Sequence, residues 1–251
     1  MRAVYGLDVH KDTIYLCILC KTGEIIEKVF GVLTFQLRDM RRLMQSFGVS
    51  EVTMERTATY WISIWRVLEP YSQLKLVNPY FIRQLPGRKS DVKDTQWIAE
   101  CTMKDLVCGS FVPPERIKQC SQYDRRILDL DAEIVRKLSK LDVIMQCCNI
   151  RLSNYVSHTD TKSYKDVVDA LCKGVTDPEE LVKKVHGRIV NKHGRETILA
   201  SLTGVVSEAE KDTMCHLRME ITLAEEHKAE CQDKMVAMHE AARVNVTPSA
   251  N

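Results

Sequence analysis

The chain has 251 residues, 36 Lys and Arg against 34 Asp and Glu, and a formal net charge of +2 with neutral histidines. At 28% charged and 45% hydrophobic residues it has the make-up of a soluble globular protein with one large domain or two small ones. Near-neutrality excludes nucleic-acid binding through a global positive field, so any such affinity must come from local patches. No stretch approaches the roughly 20 apolar residues of a membrane span, and the N-terminus lacks a signal-peptide pattern; a cytoplasmic location is expected. Of the ten cysteines, only Cys17 and Cys20 have C-x-x-C spacing. Odd spacing along a strand sends them to opposite faces, which suits neither a disulfide nor a zinc site, so the cysteines are expected to be reduced packing residues.

In chain order, AVYGLDV and TIYLCILC read as strands, and KTGE supplies turn chemistry before a third strand, IIEKVF. FQLRDMRRLMQSF places Leu37, Met40, Leu43, Met44 and Phe47 on one helical face. EVTMER follows as a fourth strand, TYWISIWRVLEP as a helix stopped by Pro70, and LKLVNP as a fifth strand stopped by Pro79. SDVKDTQWIAECTMKDL reads as a third helix with Ser90 as its N-cap. Three meandering strands, then helix, strand, helix, strand, helix, is the order of an RNase H-like domain: α/β, a mixed sheet flanked by helices.

Beyond VCGSFVPPE the pattern becomes helical. A long helix is predicted from Glu115 to about Val156, followed by SYKDVVDALCK, DPEELVKKVH and RETILASL, with Gly174, Gly187 and Gly204 between them. A second long helix runs from Ser207 to about Arg243. Its residues Met214, Leu217, Ile221, Ala224, Lys228, Cys231, Met235, Met238 and Ala242 alternate three and four apart as a heptad seam. Such a seam can close within the chain as an antiparallel hairpin or between chains; a dimer is favoured, and Lys228 is a polar departure in it. The domains expected are therefore 1–110, an α/β domain, then 111–245, an all-α coiled-coil domain for dimerisation and nucleic-acid binding, and a polar tail, 246–251.

Four carboxylates carry the chemistry. Asp8 falls at the end of the first strand and Glu55 at the end of the fourth, which an RNase H-like sheet places beside the first. Asp91 and Asp94 are three apart on a predicted helix and so share a face. Each acid alone reads as well as a turn residue, a helix-dipole partner or a solvated side chain. Together, converging carboxylates repel and raise one another's pKa unless a cation lies among them, and hard cations such as Mg²⁺ or Mn²⁺ choose oxygen ligands. Arg83, Arg88, Lys89 and Lys93 flank the last pair as candidate phosphate contacts, and Arg125, Arg126, Arg136, Lys137 and Lys140 add positive charge to the long helix. Tyr60, Trp61 and Trp65 read as helix-face core packing or as stacking platforms for unpaired bases.

The segments GLDVHKD, TMERTATYW, VNPYFIRQLPGRKSDVKD and NIRLSNYVS resemble the DEDD-type transposases of insertion sequences, the family that includes the pilin-gene invertase. The resemblance implies a RuvC-like N-terminal domain whose Asp-Glu-Asp-Asp set holds Mg²⁺, here Asp8, Glu55, Asp91 and Asp94. It also implies a coiled-coil domain, DNA as substrate and, in some members, a structured guide RNA as partner. Two departures stand out. Arg56 and Ala58 occupy positions where the family commonly has a small residue and a glycine. The family's C-terminal domain with its nucleophilic serine has no matching segment, so the expectation is a chain that binds metal and nucleic acid without exchanging strands alone. The competing readings are a stand-alone RuvC-like nuclease and a non-catalytic RNA- or DNA-binding regulator.

Overall fold

The computed structural model describes residues 3–85 and 93–244, and the chain divides into two compact units, Met1–Val112 and Pro113–Asn251. In the first, five strands form one sheet in the order β3-β2-β1-β4-β5. β1 (Ala3–Val9), β2 (Thr13–Cys20) and β3 (Ile25–Gly31) make the antiparallel meander, while β4 (Val49–Glu55) runs parallel to β1 and β5 (Gln73–Val77) parallel to β4. A meander extended by two parallel strands is the RNase H-like arrangement. Parallel neighbours need crossovers, here α1 (Thr34–Ser46) and α2 (Trp61–Leu68).

The two-residue alternation of the strands separates the faces. Ala3, Tyr5, Leu7 and Val9, with Leu16, Ile18, Val52 and Met54, are buried against Leu37, Met40 and Met44 of α1 and Ile64, Trp65 and Leu68 of α2. The Tyr5 hydroxyl donates to the Met44 carbonyl at 2.8 Å, fixing α1 on that face. Trp65 is buried there and Trp61 stacks edge-on against it with ring centroids 5.8 Å apart; these two tryptophans are packing residues. Cys20 belongs to this core, whereas Cys17 packs with Val4 and Ala99 on the opposite face, as their spacing requires.

That opposite face is covered by α4 (Asp94–Met103), held by a buried hydrogen bond of 2.7 Å from the Thr102 hydroxyl to that of Thr53. Gly6 sets how close the helix can come: a Cβ there would lie 2.3 Å from the Thr95 carbonyl oxygen and 2.8 Å from the Ala99 nitrogen. The expected start of this helix is corrected. Its N-cap is Lys93, in extended conformation, not Ser90, and Asp94 at the first helical position is favoured by the positive end of the helix dipole. Ser90 and Asp91 themselves lie outside the described residues, and with them the expectation that Asp91 and Asp94 share a helical face. A short helix that the sequence pattern did not suggest, α3 (Pro79–Gln84), follows β5, with the Asn78 side chain accepting from the Tyr80 amide and proline at its first turn.

In the second unit α5 (Glu115–Cys147) and α10 (Glu208–Val244) lie side by side. Lys228 bonds Asp131 at 2.5 Å and Lys137 bonds Glu220 at 3.2 Å, pairings that run antiparallel. Leu130, Ile134, Leu138, Leu141 and Met145 face Met214, Ile221 and Ala224 in a core shared with α6 (Lys162–Cys172), α7 (Pro178–Val182) and α9 (Arg195–Leu202). The polar seam residue Lys228 thus finds an acid across the hairpin. α5 stops at Cys147, short of the expected Val156, because Asn149 takes a left-handed φ of 59° and the Ile150 amide donates back to the Met145 carbonyl at 2.8 Å, the six-to-one bond of a Schellman cap. α10 opens on a capping box between Ser207 and Glu210. The further helix α8 (Gly187–His193) was not anticipated. No described helix is long and apolar enough to cross a membrane.

Replacing Gly6 by alanine should force α4 off the sheet. A methyl group driven into backbone atoms should cost about 2–3 kcal/mol, read as a lowered midpoint in urea, whereas alanine at Gly187, with open space around it, costs less.

Candidate active site

Gly6 lies between Val4 and Asp8 on the α4 face of β1, so the contact that seats α4 also brings its first residue toward Asp8. β1 and β4 are in register through Leu7 and Met54, which leaves Asp8 and Glu55 as neighbours at the C-terminal ends of two parallel strands. Asp8, Glu55 and Asp94 line one cleft of about 450 Å³ with His10, Arg56, Thr57, Ala58, Pro79 and Arg83. Asp8, His10 and Asp94 also line an adjoining recess with Tyr15, Lys93 and Thr95. A third recess of about 390 Å³, between α3 and residues 106–110, is mainly apolar and contains no carboxylate.

Glu55 is the most enclosed of the three acids, at 9% exposure. Burial pushes its carboxyl above the usual glutamate range, and the negative charge of Asp8 adds to the rise. The Arg83 guanidinium acts in the opposite sense, while a hydrogen bond shared with Asp8 and the charge of Asp94 push it further up. His10 Nε2 lies 3.1 Å from Asp8 Oδ2, and the His10 ring meets Tyr15 edge-on at 5.6 Å. Three carboxylates thus share one cleft, and at Glu55 burial and the neighbouring acids outweigh the opposing charge of Arg83. An all-oxygen donor set of this kind suits a hard divalent ion. Among the described residues, however, no three His, Cys, Asp or Glu side chains already surround one point closely enough to hold a metal, and Asp91 lies outside the described residues.

Of the proposed phosphate contacts, Arg83 is exposed in the cleft, and Lys93 lines the adjoining recess, ion-paired with Glu27. Arg88 and Lys89 lie outside the described residues. On α5, Arg125, Arg126, Arg136 and Lys140 are exposed, whereas Lys137 bridges Glu133 and Glu220 and so serves the helix pair. The sequence reading missed His10 and Tyr15. His10 was within reach of it, because residues two apart on an extended chain point to the same side. Ala58 adopts φ 44°, a left-handed conformation that suits glycine, and it does so at the position where this chain departs from the resembled pattern.

A family model described as a transposase, DEDD type of the IS110 kind, matches residues 5–149. The chain belongs to the DEDD transposases. The match covers more than half of this transposase chain and spans every described residue of the cleft. No curated protein matches it. Among solved structures it is similar to T. thermophilus RuvC in complex with a Holliday junction substrate, at 11% identity over 39% of this chain and 90% of that one, with a TM-score of 0.28. A member of the Ppx/GppA family from Aquifex aeolicus aligns at 10% identity over 98% and 99% of the two chains, with a TM-score of 0.22. Likenesses this loose say nothing about activity.

The raised pKa of Glu55 has a consequence for stability. The folded chain holds this proton more tightly than the unfolded chain, so the contribution favours folding in full below the ordinary glutamate pKa and is lost as pH rises through the raised value. Metal-free Glu55→Gln should therefore be more stable than the parent at pH 8, with the advantage gone by about pH 4. Denaturation midpoints measured across that range check it.

Proposed function

We propose that this chain acts in DNA transposition as a divalent-metal-dependent protein that binds DNA and a structured guide RNA. The observation that carries the proposal is the convergence of Asp8, Glu55 and Asp94 in one cleft with Arg83, in a chain of the DEDD transposase family. Asp8, Glu55 and Asp94, with Asp91 as the fourth member of the set, would hold Mg²⁺ or Mn²⁺. Such ions stabilise the attacking and leaving oxygens of a phosphodiester displacement.

The chain's own residues have separate tasks. Arg83 binds a non-bridging phosphate oxygen and draws the backbone toward the acids. His10 holds Asp8 in place through Oδ2. Enclosure of Glu55 keeps water from its carboxyl, so electrostatic interactions made there are stronger than at an open surface. A serine nucleophile for strand exchange is assigned to no residue of this chain, and the stand-alone nuclease remains the second reading, favoured by the fact that the acids and Arg83 lie within one compact unit.

Metal binding gives the first test. Mn²⁺ at about 100 times its dissociation constant should stabilise the protein by about 2.7 kcal/mol. Asp8→Asn should abolish that gain in a thermal-melting titration while leaving the metal-free melt cooperative. Equal stabilisation of the variant would remove Asp8 from the site.

Self-association is proposed through the outer face of α5. Leu128, Val135 and Val143 are each about 60% exposed, and Ile117 is exposed in line with them; steps of seven, eight and eleven residues keep them on one flank of the helix. Light scattering at micromolar concentration should report a dimer or larger assembly. Leu128→Asp with Val135→Asp should reduce it to monomer without lowering helicity. A parent that is already monomeric would end the idea.

A further inference from the structure

Residues 183–195, KKVHGRIVNKHGR, lie in the second compact unit and take no part in the carboxylate cleft. Five of these thirteen residues are Lys or Arg, two are His and none is acidic, in a chain whose charges otherwise nearly balance. Lys183, Lys184, Arg188, Lys192 and Arg195 are all exposed.

The backbone that carries them is held in place. Val185 is buried, and Ile189 and Val190 pack against the helical core. The His186 amide donates to the Ser163 hydroxyl at 2.9 Å, and His186 Nδ1 accepts from the Arg188 amide at 3.2 Å. Gly194, at φ 87°, reverses the chain between α8 and α9, donating to the Val190 carbonyl at 2.8 Å and accepting from the Ile198 amide at 3.2 Å. Two of the cations are neutralised locally, Lys183 by Glu180 and Arg195 by Glu179. Among the described residues, Lys184, Arg188 and Lys192 form no ion pair. Arg188 and Lys192 are four apart on α8, so they rise about 6 Å along one side of it and can reach neighbouring phosphates of one strand.

We propose that residues 183–195 form a second nucleic-acid contact surface, which grips the backbone phosphates of a double helix without reading its sequence. The inference rests on the nucleic-acid reading above and adds a site to it. Three features select this ligand. Unpaired cations on a fixed backbone match phosphates, which carry one charge per residue of a strand. The segment contains no Phe, Tyr or Trp on which an unpaired base could stack, and the His193 ring already meets Tyr155 edge-on. No large hydrophobic residue within it is exposed, so it lacks the apolar face by which a basic helix enters a lipid surface.

The test uses the full chain without divalent metal, which removes the carboxylate cleft's dependence on its ion. Anisotropy of a labelled duplex DNA, and separately of a hairpin RNA with a stem of equal length, is followed from about 50 to 300 mM KCl. Each phosphate contact contributes about 0.9 to the slope of log K against log salt on B-DNA. The triple variant Lys184→Gln, Arg188→Gln, Lys192→Gln should therefore lose about two to three units of slope on DNA, and at least tenfold in affinity at about 100 mM salt. The exchange variant Lys184→Arg, Arg188→Lys, Lys192→Arg should retain both. A loss confined to the DNA arm or to the RNA arm identifies the helix that docks there. If the parent binds and the triple variant keeps its slope and affinity, this surface is wrong and the nucleic-acid reading stands. If the parent binds neither duplex at the lowest salt, both fall. If the parent binds neither duplex but binds phosphatidylserine vesicles, and the triple variant does not, the patch belongs to a lipid surface and the proposal is overturned.

Discussion

The closeness of α4 to β1 is the constraint on which the cleft depends. A helix packed on a sheet ordinarily stands off by the depth of a side chain, but at Gly6 there is none, and the helix backbone occupies the space where a Cβ would project. That contact seats the first turn of α4 at the end of the strand. Asp94 then reaches a cleft whose other acids, Asp8 and Glu55, come from adjacent parallel strands. Burial and neighbouring charge hold the Glu55 carboxyl above its usual range, the pattern expected where function, rather than stability, selected the residues.

The strands and their order were legible because one pattern served several constraints at once. Alternating apolar residues in β1 and β2 fixed two faces, and Cys17 and Cys20 divided between them on spacing alone. Helix ends were less legible. A serine at position 90 and an acid-rich stretch behind it suggested a start that the chain does not use, since Lys93 is extended and the helix begins at Asp94. The apolar stripe of α5 continues past the helix into Ile150 and Leu152, both buried, so periodicity alone overran the stop that Asn149 imposes. Both short helices that went unread, α3 and α8, begin at caps formed by a single residue, Asn78 and His186, and are too short for a periodic signal.

Candidate site residues divided in the same way. Asp8 and Glu55 could be placed together from strand order, a property of the whole sheet. Their partners could not. His10 bonds Asp8 across a turn closed by the bond from its own amide to the Thr13 carbonyl, and Arg83 enters the cleft from α3, the helix that was not foreseen. Lys137 shows the converse: a cation counted as a phosphate contact from its position in a basic helix is engaged by Glu133 and Glu220. Charge in a sequence is a poor guide to charge available at a surface until its ion pairs are known. The same test, applied to residues 183–195, leaves Lys184, Arg188 and Lys192 as cations that form no ion pair among the described residues.

The central claim is that Asp8, Glu55 and Asp94 are gathered to hold a divalent cation. The most direct measurement is an anomalous-difference map from crystals of the full chain equilibrated with Mn²⁺. The account predicts a peak bounded by carboxylate oxygens of Asp8, Glu55 and Asp94 at about 2.0–2.2 Å, lost in crystals of Glu55→Gln. A map with no peak in the cleft at saturating Mn²⁺, or with manganese bound only at acids elsewhere on the chain, would contradict it.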